Sequence, residues 1–270
     1  MKRYNSHIHT EVSPDCFESG ASLAQAALSA GFDGISITDH CAGSNYISYN
    51  SYDLAKNTVK TAKALQKEYE GRLEVFKGIE LEEMFWSPEY IQRIVDSFDF
   101  DIVLASVHKV SKCPTRAYFS RIDFSKFLAE DIRTYAGWYL DDVYETVKSC
   151  DFDVLAHLTI IERYIRGKYG RDFSFMPFMD RIDEILKLLI QRGKALEVNT
   201  SESFNIGLMP NSEILKRYRS LGGELVTIGT DAHKPQQVST GFDLAVDTLK
   251  TCGFKYYVYY KNRKPVKVFF

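Results

Sequence analysis

No stretch of this sequence reaches the ~18 consecutive apolar residues that a membrane-spanning helix requires. Its first residues, Met1-Lys2-Arg3-Tyr4-Asn5-Ser6-His7, lack the apolar core of a secretory signal. The expected setting is therefore the cytoplasm, with no membrane partner. An excess of charge is missing too: 34 basic and 36 acidic residues leave a formal net charge of -2. That balance offers no overall field for gathering a polyanion, so nucleic acid is not an expected partner, whereas a small phosphorylated substrate needs only a local basic pocket. The five cysteines (Cys16, Cys41, Cys113, Cys150 and Cys252) are scattered and never form a C-x-x-C pair. This argues against a disulfide framework or a thiolate zinc site. Cys41 follows His40, but its nearest candidate partners are hard oxygen donors, so thiolate ligation is not expected. No Gly/Ser/Pro-rich linker, long charge run or low-complexity segment divides the chain, and one domain over residues 1–270 is the expected organisation. Oligomeric state is not legible.

What is present is a rhythm. Short apolar, β-rich runs alternate with longer amphipathic ones over 270 residues, a length that α/β barrels reach as one domain. Strands are expected at Tyr4–Ile8, Gly34–Thr38, Leu73–Ile79, Ile102–Val107, Val154–Ala156, Ala195–Asn199 and Leu225–Gly229. Helices are expected near Ser22–Ala30, Asp53–Tyr69, Pro88–Phe98, Tyr139–Cys150, Met179–Arg192, Ser212–Leu221 and Phe242–Cys252. Ile182, Ile185, Leu186 and Leu189 show the 3.6-residue period directly. Gly31, Gly71, Gly193 and Gly222 fall just past helices, where a left-handed cap uses glycine. The tail Lys255–Phe270, with Asn262-Arg263 between two β-rich halves, reads as a terminal hairpin. The fold class is α/β, a single-domain, TIM-like parallel barrel.

Histidine occurs only six times, and each one sits at or just beyond the carboxyl end of an expected strand. Those ends converge on one face of a parallel barrel, the face that carries barrel chemistry. His7 and His9 are two apart on a strand, so both imidazoles point the same way, ready to share a cation. The second strand stops at Asp39-His40; neighbours face opposite sides, which makes His40 the candidate ligand and Asp39 a supporting or capping group. Glu80 closes the third strand and can bridge two cations, whereas Glu82 and Glu83 read as solvated loop residues. His108 and His157 end the fourth and fifth strands. Asp231 and His233 follow the seventh, again two apart. A lone histidine at any of these places is more often a core residue, but six of them at five strand ends are hard to attribute to core filling.

These residues, His7-x-His9, Thr38-Asp39-His40, Gly78-Ile79-Glu80, Ser106-Val107-His108, His157 and Asp231-x-His233, resemble the polymerase-and-histidinol-phosphatase (PHP) domain family over nearly the whole chain. The segments His157–Tyr164 and Glu197-Val198-Asn199-Thr200 are most similar to its histidinol-phosphate phosphatases. The resemblance implies a distorted seven-stranded (β/α) barrel, a place in histidine biosynthesis, and two to three divalent ions. It assigns one ion to His7, His9, Glu80 and Asp231, a second to Glu80, His108 and His157, and a third to Asp15, His40 and His233. Nitrogen and oxygen donors of this kind suit Zn, Mn or Fe.

Such a site suits phosphate-monoester hydrolysis without a serine or cysteine nucleophile, because coordination lowers the pKa of water from 15.7 toward ~7. His233 and Asp15 are neighbours for proton donation to the leaving alkoxide. Arg163, with Arg166 as a second candidate, lies in a basic segment beyond His157 and can grip phosphate in a bidentate manner; a solvated basic loop is the plainer reading. The alternatives are a relative acting on another sugar or nucleotide phosphate or on DNA ends, an amidohydrolase-like barrel, and a non-catalytic metal-binding module. The second lacks its bridging lysine here, and the third would show missing ligands.

Overall fold

The computed structural model describes residues 1–42, 50–202 and 205–270. Parallel strands alternate with helices: β1 (Tyr4–Ile8), α1 (Gly20–Ser29), β2 (Gly34–Ile37), β3 (His40–Ala42), α2 (Ser51–Glu68), β4 (Glu74–Glu82), α3 (Pro88–Ser97) and β5 (Ile102–Ser106). There follow α4 (Ala129–Ser149), β6 (Val154–Leu155), α5 (Met179–Gln191), β7 (Ala195–Asn199), α6 (Ser212–Ser220), β8 (Val226–Gly229) and α7 (Phe242–Thr251). The strand order is β1-β2-β4-β5-β6-β7-β8, with β3 also on β4. β2 and β3 share one register on β4, Ile37 opposite Lys77 and His40 opposite Glu80, so they are one strand interrupted at Thr38-Asp39. The expected seven-stranded barrel is what the chain forms.

Closure between β8 and β1 is irregular. At the carboxyl end, the N–H of Asp231 donates to His7 O at 2.9 Å and that of His9 to Ala232 O at 3.0 Å. Lower down, the Asn5 amide takes over, accepting from Thr230 N–H and donating to the Thr230 hydroxyl. This side-chain seam is the distortion.

Two elements exceed expectation. β4 runs three residues past Ile79, and α4 begins ten residues before Tyr139. The first half of α4 buries Ile132, Tyr135 and Ala136, an amphipathic spacing present in the sequence but overlooked. The terminal hairpin forms as expected from β9 (Tyr256–Lys261) and β10 (Lys264–Phe269), with Asn262 and Arg263 both at positive φ, as a primed turn requires. Tyr256, Val258 and Tyr260 pack with Ile102, Leu104, Val154, Ala156 and Ala195, which places the hairpin against the barrel strands. Among the described residues no helix is long and apolar enough to cross a membrane. The cysteines are free, and burial pushes the Cys41 thiol up to about 12, which disfavours a thiolate there.

Candidate metal centre and its cavity

Period-two alternation puts His7 and His9 on one side of the β1 end, with their Nε2 atoms 3.0 Å apart. Each ring is tethered through its other nitrogen. His7 Nδ1 lies 2.7 Å from Glu197 Oε1, and His9 Nδ1 lies 3.0 Å from Ser13 Oγ. The Ser13 hydroxyl donates to Asp39 Oδ1 at 3.1 Å, so it accepts from His9, and Asp39 sets the His9 tautomer through it. Asp39 also accepts the Thr10 N–H at 2.6 Å, fastening the loop after β1 to the β2–β3 interruption. His233 repeats the pattern, with Nδ1 2.9 Å from Asp231 O, leaving the Nε2 lone pair outward. Three imidazoles thus present Nε2.

Glu80 divides its two oxygens. Oε2 lies 3.3 Å from His7 Nε2, 3.5 Å from His9 Nε2 and 2.9 Å from His40 Nδ1. Oε1 lies 3.0 Å from His157 Nε2 and 3.6 Å from His108 Nε2. Asp231 also divides: Oδ1 is 3.1 Å from His9 Nε2, and Oδ2 accepts from Arg163 at 2.9 Å. Asp15 Oδ2 is 3.5 Å from His40 Nε2 and 3.3 Å from His233 Nε2. Candidate metal ligands therefore meet in overlapping groups that include His7, His9 and Glu80; His40, Glu80 and His108; and His9, His40 and His233.

The donor set fits hard or borderline divalent ions, being all imidazole nitrogen and carboxylate oxygen. Among the described residues His233 Nε2 is buried without a hydrogen-bond partner although a carboxylate oxygen stands 3.3 Å away, an arrangement that a shared cation satisfies. Burial opposes charge on His7 and His40, but facing carboxylates outweigh it and hold both imidazoles well above the ordinary histidine value. Burial likewise works against ionised Glu80 and Asp231, yet the surrounding cationic groups keep both well below the usual carboxylate range. His9 is depressed to about 3 by burial and then by the charges on His233 and His40. Protons on His7 and His40 and a divalent ion would compete for the same carboxylates.

Two carboxylates expected in solvent are buried instead. Glu82 is 3% exposed, with Oε1 2.8 Å from His40 Nδ1 and 3.5 Å from His108 Nδ1, and Oε2 accepting from the Tyr118 hydroxyl at 3.2 Å. Glu83, fully buried, accepts the N–H groups of His108 and Lys109, and burial with the Glu82 charge pushes its pKa up to about 7. The reason is the longer β4 and the segment 107–128 folded against its end. Glu197 was likewise not singled out as a site residue. Fully buried on β7, it holds His7 through Oε1 and accepts the His157 N–H through Oε2 at 2.8 Å. A Cβ at Gly229 would lie 2.1 Å from Glu197 Oε1, so only glycine admits this reach. The available signal was a carboxylate inside the apolar run Ala195–Val198. Glu83, His157 and Asp231 also adopt left-handed φ values of 45°, 26° and 53°, backbone strain gathered at the cluster.

Above the cluster lies a cavity of about 370 Å³, lined by Asp15, His40, Glu82, His108, Asp231 and His233 together with Tyr118, Phe119, Arg121, Arg163 and Tyr164. Arg163 leaves a π-helical turn, Arg163–Lys168, and also donates to the Ser201 hydroxyl. Arg166 does not line this cavity; it is exposed and 3.6 Å from Glu162. The second guanidinium at the cavity belongs to Arg121, which the sequence reading did not select.

A parallel barrel whose strand ends gather imidazoles and carboxylates around shared points defines a class, the barrels built for a multinuclear metal centre. Within it, residues 5–201 match the PHP domain, and the chain belongs to that family. It is 26% identical to the histidinol-phosphatase of Lactococcus lactis subsp. lactis over 99% of this chain and 100% of that protein. Identity to the probable histidinol-phosphatase of Clostridium acetobutylicum is 28%, over 93% of this chain and 94% of the other. The crystal structure of the Lactococcus lactis histidinol phosphate phosphatase complexed with Zn, L-histidinol and phosphate superposes with a TM-score of 0.82 at 23% identity, covering 98% of this chain and 99% of that one. A Listeria monocytogenes structure gives 0.72 at 18%, over 90% and 99%.

Proposed function

We propose that this chain, acting as one domain over residues 1–270 in the cytoplasm, hydrolyses L-histidinol phosphate to L-histidinol and phosphate in histidine biosynthesis. The observation that carries the reading is the divided Glu80 carboxylate, one oxygen toward His7, His9 and His40 and the other toward His108 and His157, beneath a cavity that also holds a guanidinium. The histidinol-phosphatase relatives, matched over nearly their whole length, support the substrate.

Two to three divalent ions, Zn, Mn or Fe, are held in this reading by His7, His9, Glu80 and Asp231, by Glu80, His108 and His157, and by Asp15, His40 and His233. Bound there, they supply positive charge to the phosphoryl oxygens and acidify water at neutral pH. Glu197 and Ser13 fix the His7 and His9 rings, so that little reorganisation is needed when substrate arrives. Arg163 has two tasks: its Nη2 holds Asp231 Oδ2 and the Ser201 hydroxyl, and, with Nε buried 3.5 Å from Glu202, its Nη1 is the donor assigned to a phosphate in the cavity. Asp15 and His233, the sequence's candidates for protonating the departing alkoxide, are poorly placed for that task. Burial opposes ionisation of Asp15, but the facing His233 and His40 hold its carboxyl well below the usual carboxylate range. His233 Nδ1 is committed to Asp231 O, so both residues serve as ligands and the proton comes from solvent at the open cavity. The cavity suits a small ester.

Elemental analysis of gently purified protein, followed by kcat/KM on L-histidinol phosphate and p-nitrophenyl phosphate, tests the reading. More than one equivalent of transition metal and a preference for the former are expected. Absence of metal together with no activation by added Mn or Zn overturns the metal centre; a preference of about a hundredfold for another monoester or a phosphodiester overturns the substrate.

A further inference from the structure

Two of the segments that wall the cavity are pinned together by cations with no place in the metal cluster; Pro14, Ala42 and Leu54 complete the wall from other elements. Residues 107–128, between β5 and α4, supply Tyr118, Phe119, Ser120 and Arg121; the segment after β6 supplies Arg163 and Tyr164. From that second segment, Lys168 Nζ donates to Ser120 O at 2.9 Å. Arg171 donates from Nη1 to Ser125 O at 2.9 Å and from Nη2 to Phe127 O at 2.8 Å. Its own backbone N–H donates to Ile165 O at 2.9 Å, joining it to the turn that carries Arg163. Among the described residues neither cation pairs with a carboxylate; both donate instead to carbonyls of the two short 3-10 turns, Phe119–Arg121 and Phe124–Lys126, and of Phe127 just after them. A guanidinium fork can span two carbonyls two residues apart, where an ammonium takes one direction at a time. Across the same seam, the rings of Phe119 and Tyr164 stand 6.0 Å apart.

We propose that Arg171, assisted by Lys168, is a positioning residue for substrate recognition: it holds residues 118–127 against the Arg163 turn and thereby fixes the wall that selects the organic portion of a phosphate monoester. The proposal rests on the phosphatase reading above. Phosphate is held on the floor, by the metal cluster and Arg163, whereas Tyr118–Arg121 face whatever is esterified to it. Loosening this wall therefore costs affinity for the organic group and leaves the chemistry alone.

The test compares wild type, Arg171→Ala and Arg171→Lys on L-histidinol phosphate and on glycerol 2-phosphate, with metal content and amide hydrogen exchange measured on the same samples. Arg171→Ala is expected to raise KM for L-histidinol phosphate on the order of tenfold, with kcat changed by less than about twofold and glycerol 2-phosphate little affected. Arg171→Lys should fall between, and amides of residues 118–127 should exchange faster while metal content stays at the wild-type level. Unchanged exchange overturns the clamp; faster exchange with an unaltered KM overturns its role in recognition. A parallel fall in kcat on both esters would also overturn it, by making Arg171 a general structural residue. If Arg171→Ala does not fold, Lys168→Ala reads the same signature at smaller size, and its absence there counts against the proposal equally. A wild type without preference for L-histidinol phosphate would remove the phosphatase reading, yet the exchange measurement would still decide the clamp.

Discussion

The two ends of this barrel use the same strands for opposite purposes. At the carboxyl end, β1, β4 and β8 finish in buried imidazoles and carboxylates, three of the surrounding residues have left-handed backbone, and ionised groups sit where water is excluded. Toward the other end, β5, β6 with the residue after it, and β7 contribute Ile102, Leu104, Val154, Ala156 and Ala195 to an apolar contact with the hairpin. Its rim is polar but matched: Arg263 pairs with Asp153 and Asp151, and Tyr4 stacks on Tyr259 at 3.8 Å. Burying charge costs stability unless it is compensated, whereas burying aromatic surface supplies it. The hairpin end therefore stabilises a fold that the catalytic end strains.

The largest test of that division is Glu80→Ala, which removes the shared carboxylate. Activity should fall on the order of 10³-fold or more and bound metal should drop, while the metal-free variant stays folded by circular dichroism. A metal-free variant that unfolds would break the comparison. Tyr260→Ala, at the hairpin, should do the reverse: a loss of roughly 3 kcal/mol, or a Tm lower by about 6–12 °C in thermal scans, with kcat per folded molecule intact.

Arg163→Ala should lower kcat/KM by about 10–150-fold with metal content retained, as loss of a charge-assisted bond predicts. A rise in KM alone would assign the contact to ground-state binding; a matching fall in kcat would place it in the transition state. Arg166→Ala, by contrast, should leave both parameters near wild type, because its side chain pairs with Glu162 outside the cavity.

A smaller, graded effect comes from pH. His7 and His40 have raised pKa values in the folded, metal-free cluster. The stability their protonation contributes is present below the ordinary histidine range and lost as pH rises through the folded values. Metal requires the same nitrogens deprotonated, so its stabilising contribution runs the other way. The Tm difference between metal-loaded and chelator-treated protein should therefore shrink as pH falls from about 8 to about 6. A difference that grows on acidification would contradict this account.

Much of the site was legible because its signals are local. An apolar run that ends in His or Asp marks a strand end, and two-residue spacing puts His7 with His9, and Asp231 with His233, on one side of the chain. The βα rhythm and the Asn262-Arg263 turn are likewise written within a few residues of where they act. Other features depend on residues far apart in the chain meeting in space. Glu197 reaches His7 across 190 positions through the gap left by Gly229. Glu82 and Glu83 look like solvated loop carboxylates until the segment 107–128 packs against them. Arg171, one more charge in a basic stretch, acquires its partners only when that segment comes within reach of its fork. Periodicity and chain termination set which groups point inward, whereas burial and pairing of a charge depend on what the fold packs against it, and no local pattern encodes that.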